Sequence, residues 1–357
     1  MDITFLVGNG FDLSLGYKTS YRGFYEYYIK QPNNPEHENA IARLKKSIGD
    51  DLESGLKDWA DFEVGLGKFT QSFGPEEADE YVEAYSDAFA QLHDYLSTLP
   101  RKGNIDSISE IQWEFYRQSL CKFYLSPNDQ NNDLYSKLKR DEQTNGIEST
   151  FHFVSFNYTN YLDEYIAKLA QKPLEIWKRG SEEKHHVIDP NVLHVHGPLD
   201  KYPIIGVSNK EQILNSEFLK NDYLCSTLIK SNIVKLVGSK DYSKMQEIID
   251  KSRIICLWGL SIGESDKHWW NAINQWLNGN QARSLFIFEY DPENPPSATI
   301  PADYYKKCRS VANRLLCHSG FSNNQNLIDR IHVIYNTKKV LIFQNPVDSS
   351  DLPDSNQ

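Results

Sequence analysis

Two strand-like runs end in polar residues that an apolar core would not choose. Ser155-Phe156-Asn157-Tyr158-Thr159-Asn160 closes one, and Leu193-His194-Val195-His196-Gly197 closes the other. An asparagine amide can orient a hydroxyl or a water, and a histidine can accept a proton near neutral pH. His194 and His196, two positions apart on a strand, should face the same side. They admit metal ligation, a catalytic base with a neighbour, or buried hydrogen-bonded histidines. A His-x-His pair alone is a weak metal signal. Even with Asp266 and His268 added, no third ligand stands at a recognised spacing, so no bound metal is expected.

The first apolar run, Ile3 to Val7, leads straight into Gly8-Asn9-Gly10-Phe11-Asp12-Leu13. In a Rossmann-type turn, glycine lets the backbone bend sharply and approach a phosphate, whose charge N–H groups at the next helix start then stabilise. Leu13 stands where the third glycine of G-x-G-x-x-G would be, and the plain alternative is a tight strand-to-helix turn. The position of the turn, with Asn9 and Asp12 beside it, favours ligand binding. A second turn, Gly259-Leu260-Ser261-Ile262-Gly263-Glu264-Ser265-Asp266, follows the run at 253–258. Ser265 can cap a helix carrying Trp269, Ile273 and Trp276, with Asp266 in its first turn, or both can touch a ligand. The run at 284–289 ends at Glu289, an acid where an open sheet commonly holds a ribose diol. Two glycine turns and a strand-end acid suit a dinucleotide, with NAD the leading candidate. The expected contacts are Gly8, Asn9, Gly10, Phe11, Asp12, Gly259, Ser261, Asp266 and Glu289.

These positions need a scaffold of strands. β-branched and aromatic runs at 3–7, 151–156, 192–196, 253–258, 284–289 and 331–335 alternate with helical patterns, which predicts an α/β fold with a mostly parallel, Rossmann-like sheet. From about Tyr21 the spacing is helical with few strand signals, broken at Pro32-Asn33-Asn34, Gly74-Pro75, Pro100 and Pro127-Asn128. A large helical insertion is therefore expected at 21–149, after the first strand and helix. Residues 1–20 and 150–344 would form the Rossmann-like domain, and 345–357 a flexible tail. The insertion could cover or gate the site, or serve as scaffold.

The formal net charge of the 357 residues is −11, with no long basic run. Both a phosphate backbone and an anionic membrane surface are disfavoured partners. Cys121, Cys225, Cys256, Cys308 and Cys317 are odd in number and lack a C-x-x-C pair, as in a reduced cytosolic protein. The chain opens without a charged leader, and no run approaches membrane-spanning length, so the cytoplasm is the expected location.

LVGNGFDLSLGYKTSY at the N-terminus, WADFE at 59–63, FNYTN at 156–160, LHVHG at 193–197 and WGLSIGESDKHWW at 258–270 together resemble the AbiH family of bacterial phage abortive-infection proteins. The ordered set spans nearly the whole chain. AbiH-like proteins in turn resemble the sirtuin-type NAD-binding fold. That likeness implies that Gly8 and Gly10 match the first glycine turn, Asn157 the catalytic Asn, His196 before Gly197 the catalytic His, and Gly259-Leu260-Ser261 the later turn that holds adenosine. Glu289 would contact a ribose. Thr159 replaces an Asp that handles nicotinamide, and Glu63 in WADFE would stand where sirtuins have an Arg. The acylated-peptide groove and four-cysteine zinc module of deacetylases have no counterpart.

The resemblance implies NAD+ glycohydrolysis in phage defence, with Asn157 holding the ribose and a water and His196 as general base. A phage-derived trigger and a homo-oligomer are candidate partners. The rival readings are a metal-dependent hydrolase or nuclease built on the His-x-His pair, and a non-catalytic nucleotide sensor.

Overall fold

The computed structural model describes residues 1–55, 59–99, 105, 108–124, 136–138, 140, 147–179, 182–337 and 340–341. The expected tail at 345–357 and the turn signals at Pro100 and Pro127-Asn128 lie outside these residues. The strands are β1 (Asp2–Val7), β2 (Thr150–Ser155), β3 (Leu174–Arg179), β4 (Glu182–His194), β5 (Ile254–Trp258), β6 (Ser284–Glu289) and β7 (Ile331–Tyr335). They form one sheet in the order β3-β4-β2-β1-β5-β6-β7. All neighbours are parallel except β3, which pairs antiparallel with β4 at the edge. The parallel strands, β4-β2-β1-β5-β6-β7, follow the 3-2-1-4-5-6 pattern of a doubly wound Rossmann sheet, so the expected α/β class holds.

The central strands are apolar on both faces because helices cover both. On β1, Ile3, Phe5 and Val7 join Phe151, Phe153, Cys256, Phe286 and Phe288 in one core layer. Leu6 points the other way, with Val154, Ile255, Leu257 and Ile287. Helix α1 (Gly10–Ser14) follows β1, and then come α2 (Tyr21–Tyr28), α3 (Glu38–Glu53), α4 (Trp59–Phe69), α5 (Ala78–Thr98) and α6 (Glu110–Cys121), all before β2. Phe24, Leu44, Ile48, Leu66, Tyr81 and Leu92 from this run build a third core, which Tyr158 and Ile205 join. Helix α7 (Tyr161–Leu169) and α6 cover the first sheet face. After β4 come α8 (Asp222–Leu228), α9 (Lys230–Val237) and α10 (Asp241–Lys251), and beyond β5 α11 (Lys267–Gly279), α12 (Pro301–Leu316) and α13 (Gln325–Ile328). Of these, α10, α11, α12 and α13 cover the second face. Among the described residues no helix is long and apolar enough to cross a membrane.

Two strand expectations need correction. The run at 192–196 is the end of a longer strand that starts at Glu182 and stops at His194. Pro190 falls where the β2–β4 register shifts between Phe151 and Phe153, since a proline without an N–H is tolerated at such an irregularity. Because the strand stops at His194, the alternation that would place His196 beside it does not extend that far. Strand β3, LEIWKR, was not foreseen, because a charged edge strand lacks the apolar run of the central ones.

Candidate functional site

The chain runs from β1 to β2 on one side of the sheet and places β5 on the other, so the topological switch point lies between β1 and β5. Open α/β sheets bind ligands in the crevice outside that point. A cavity of about 460 Å³ lies there, within the roughly 300–1,000 Å³ usual for small-molecule sites. Gly8, Asn9, Gly10, Asp12, Asn157, His196, Gly259, Ser261, Asp266 and Glu289 all line it. Phe11 does not. Its ring is fully buried, with Tyr165 at 5.6 Å and Trp258 at 6.1 Å between ring centroids.

The two glycine turns meet each other. Gly8 N–H donates to the Trp258 carbonyl and Gly10 N–H to that of Gly259, both at 2.9 Å. A Cβ on Gly10 would lie 2.6 Å from Gly259 Cα, and Gly259 itself has a φ of +62°. Glycine is required here for backbone-to-backbone contact. The expectation that the Gly8 and Gly10 amides stand open to a phosphate is thus corrected, and Phe11 N–H is likewise taken by the Gly8 carbonyl. Asn9 is also occupied, since Thr19 bonds both its amide nitrogen and its amide oxygen. At the other polar cluster, Gly197 turns the chain directly after His196 with a φ of +70°.

Asn157 is the most constrained polar residue of the crevice. Its Nδ2 donates to the Gly8 carbonyl at 3.2 Å and to Asp12 Oδ1 at 3.0 Å. A carbonyl only accepts, so the nitrogen must face Gly8 and the amide cannot be flipped. Ser155 Oγ accepts from Asn157 N–H, and His194 Nδ1 lies 3.2 Å from its carbonyl. With every other group engaged, Asn157 Oδ1 is buried without a hydrogen-bond partner. A buried acceptor left open costs about 1–3 kcal/mol unless something donates to it. Asp12 also accepts from Thr159 Oγ1 at 2.5 Å. Burial pushes the Asp12 carboxyl up to about 7, against the bonds from Thr159 and Asn157 that favour the charged form.

His196 belongs to a second network. Its Nε2 lies 2.9 Å from Asp266 Oδ1 and 3.4 Å from Lys230 Nζ. Lys230, the first residue of α9, also donates to Asp266 Oδ1 and to Glu63 Oε2 of α4, each at 2.9 Å. Tyr158 OH donates to the second Glu63 oxygen at 3.1 Å, and its ring lies along that of His196 with centroids 6.0 Å apart. Burial alone would lower the Lys230 ammonium, but Asp266 and Glu63 outweigh it and hold it above its usual range. Burial would likewise raise Asp266, and Lys230 and His196 instead keep that carboxylate well below the usual range. The shorter contact of Nε2, to Asp266, assigns the ring proton there. Nδ1, with no partner among the described residues, is then the basic nitrogen.

His194 faces a different partner, Asp163 of α7, at 2.8 Å from Nε2. The His-x-His pair therefore does not converge, and among the described residues no group of three His, Cys, Asp or Glu is placed to hold a metal ion. His268 stacks on Tyr242. Ser265 is no cap: α11 starts at Lys267, after Asp266, without a side-chain cap bond. Asp266 is spent on His196 and Lys230 instead. At the outer end of the crevice, Glu289 Oε2 bonds Arg314 at 2.6 Å, and Tyr290 lies beside them, 80% exposed.

Lys230 and Tyr158 were not foreseen as site residues, and Glu63 only as a counterpart of a sirtuin Arg. Two oddities could have flagged them. Lys230 is a cation in a helix first turn that holds no acid, against the helix dipole. Glu63 is the sole charge in the stretch FEVGLG at 62–67. A family model described as bacteriophage abortive infection AbiH matches residues 4–288 of the chain. No curated protein matches it.

Proposed function

The chain belongs to the AbiH family, which gives it a role in bacteriophage abortive infection, and we propose that it acts as a NAD+ glycohydrolase, releasing nicotinamide and ADP-ribose. The observation that carries this reading is the buried acceptor Asn157 Oδ1, left without a hydrogen-bond partner on a residue that lines the same switch-point crevice as His196. An unsatisfied acceptor of this kind gains by binding a ribose hydroxyl or the attacking water, and an imidazole lining the same crevice can take a proton.

In the reaction, water forms a bond to the anomeric carbon as the bond to the pyridinium nitrogen breaks. The electron pair of that bond neutralises the leaving nicotinamide, and the proton of the water passes to His196. Asp266 stabilises the imidazolium, as a carboxylate beside a catalytic histidine does. Positive charge builds on the sugar in the transition state, and the carboxylates Glu63 and Asp266 outnumber the cation Lys230 at this end of the crevice. Glu289 would serve the far ribose through the carboxylate oxygen that Arg314 leaves unbonded. In this role the chain works on the cytoplasmic NAD pool, which a constant activity would drain, so turnover awaits a trigger.

The test is incubation of the purified chain with NAD+, with and without phage lysate, following nicotinamide and ADP-ribose. Stoichiometric release of both supports the reading. NAD+ that binds by calorimetry but is not cleaved in either condition overturns it and favours a sensor.

A further inference from the structure

Resting on the proposed reading, in which Glu289 serves the far ribose of NAD+, we infer that the Glu289–Arg314 pair is a specificity device. It admits a ribose 2′-hydroxyl and excludes a 2′-phosphate, so that the crevice takes NAD+ and rejects NADP+. Among the described residues that line the cavity, Arg314 is the single lysine or arginine. Its Nη2 donates to Glu289 Oε2 at 2.6 Å, and no other described group bonds its guanidinium. Glu289 is the fixed member of the pair. It closes β6, its carbonyl accepts from Asn336 N–H at 2.8 Å, and its side chain is 19% exposed against 45% for Arg314. The other carboxylate oxygen, Oε1, has no partner among the described residues.

An acid at such a strand end accepts from a ribose 2′-hydroxyl, whereas a site for a 2′-phosphate turns an arginine toward that position. Both residue types stand here, and their pairing decides between the two ligands. With Arg314 engaged by Glu289, a 2′-phosphate would meet the open carboxylate oxygen and find no free cation. A 2′-hydroxyl has a proton to donate to the same oxygen. The inner end offers no spare cation either, because Lys230 is matched with Glu63 and Asp266. Tyr290, the next residue after Glu289, lines the cavity with an exposed ring that suits the base attached to this ribose.

Calorimetric dissociation constants of NAD+ and NADP+ on the full chain test the selection without requiring turnover. The wild type should bind NADP+ roughly 10–100-fold more weakly than NAD+, the scale of a charged contact made or opposed. Glu289→Gln removes the charge and keeps the shape, so this gap should narrow by about tenfold or more as NAD+ weakens and Arg314 turns to the phosphate. Adding Arg314→Ala to Glu289→Gln should abolish the gain in NADP+ affinity. Arg314→Ala alone, with Glu289 in place, should leave NADP+ excluded. Equal affinities in the wild type, a gap unmoved in Glu289→Gln, or a gain for NADP+ that survives the loss of Arg314 overturns the inference. So does NADP+ binding to Arg314→Ala as tight as that of NAD+, or binding of neither dinucleotide to the wild type. The expected affinities in a chain that cleaves neither dinucleotide support the selection and count against the reaction alone.

Discussion

The two ends of the crevice are built to different standards. At the inner end Lys230 is 3% exposed, Glu63 4% and His196 3%, and the charges are held by each other over 2.9 Å contacts. At the outer end the Glu289–Arg314 pair is short, at 2.6 Å, but the arginine side chain is 45% exposed and Tyr290 projects into solvent. Water screens the outer pair and lets its side chains move. At the inner end no water compensates a lost partner, so geometry is fixed before any ligand arrives. In the proposed reading, the inner end carries the chemistry and the outer one the binding.

The largest effect should come from breaking the inner network. Lys230→Met leaves Glu63 and Asp266 as buried carboxylates without their cation, and removing one partner of a buried pair costs about 3–5 kcal/mol. Urea unfolding measures this. Recovery of most of the loss in Lys230→Met combined with Glu63→Gln and Asp266→Asn would sharpen the point, because the buried charges would then be gone. A loss under about 1 kcal/mol for Lys230→Met, the range of surface pairs, would erase the distinction between the two ends.

A smaller effect is expected from the outer end. Arg314→Gln should change stability by less than about 1 kcal/mol. If the proposed ribose contact of Glu289 is made, Glu289→Gln should raise KM for NAD+ by roughly tenfold with kcat unchanged. A fall in kcat with KM unchanged would move part of the chemistry outward and break the comparison from the other side.

The two ends also differed in how far the sequence revealed them. Local patterns carried the scaffold: the apolar runs at Ile3–Val7, 151–156, 192–196, 253–258 and 284–289 read as strands, and polar residues at their ends line the crevice. The places of Asn157, His196 and Glu289 at the crevice were legible for that reason. Contacts between distant elements were not. Lys230 and Glu63 are 167 residues apart, and no periodicity records that α9 and α4 bring them together. The glycines show the same limit. Their types announce a tight turn, yet whether the freed space admits a phosphate or another backbone depends on Gly259, which lies in a different loop. β4 was half hidden because Pro190 and its polar neighbours look like a break, and only pairing with β2 shows an irregularity within a strand.

The central claim is that Asn157 and His196 act in the reaction rather than in binding. It is tested most directly by measuring kcat and the NAD+ dissociation constant for Asn157→Ala and His196→Ala in an activated preparation. Each substitution should lower kcat by roughly two orders of magnitude or more, the scale of a lost general base or preorganised polar contact, while NAD+ affinity changes by less than about tenfold. Turnover that survives both substitutions, or that falls only as far as binding does, would contradict the account.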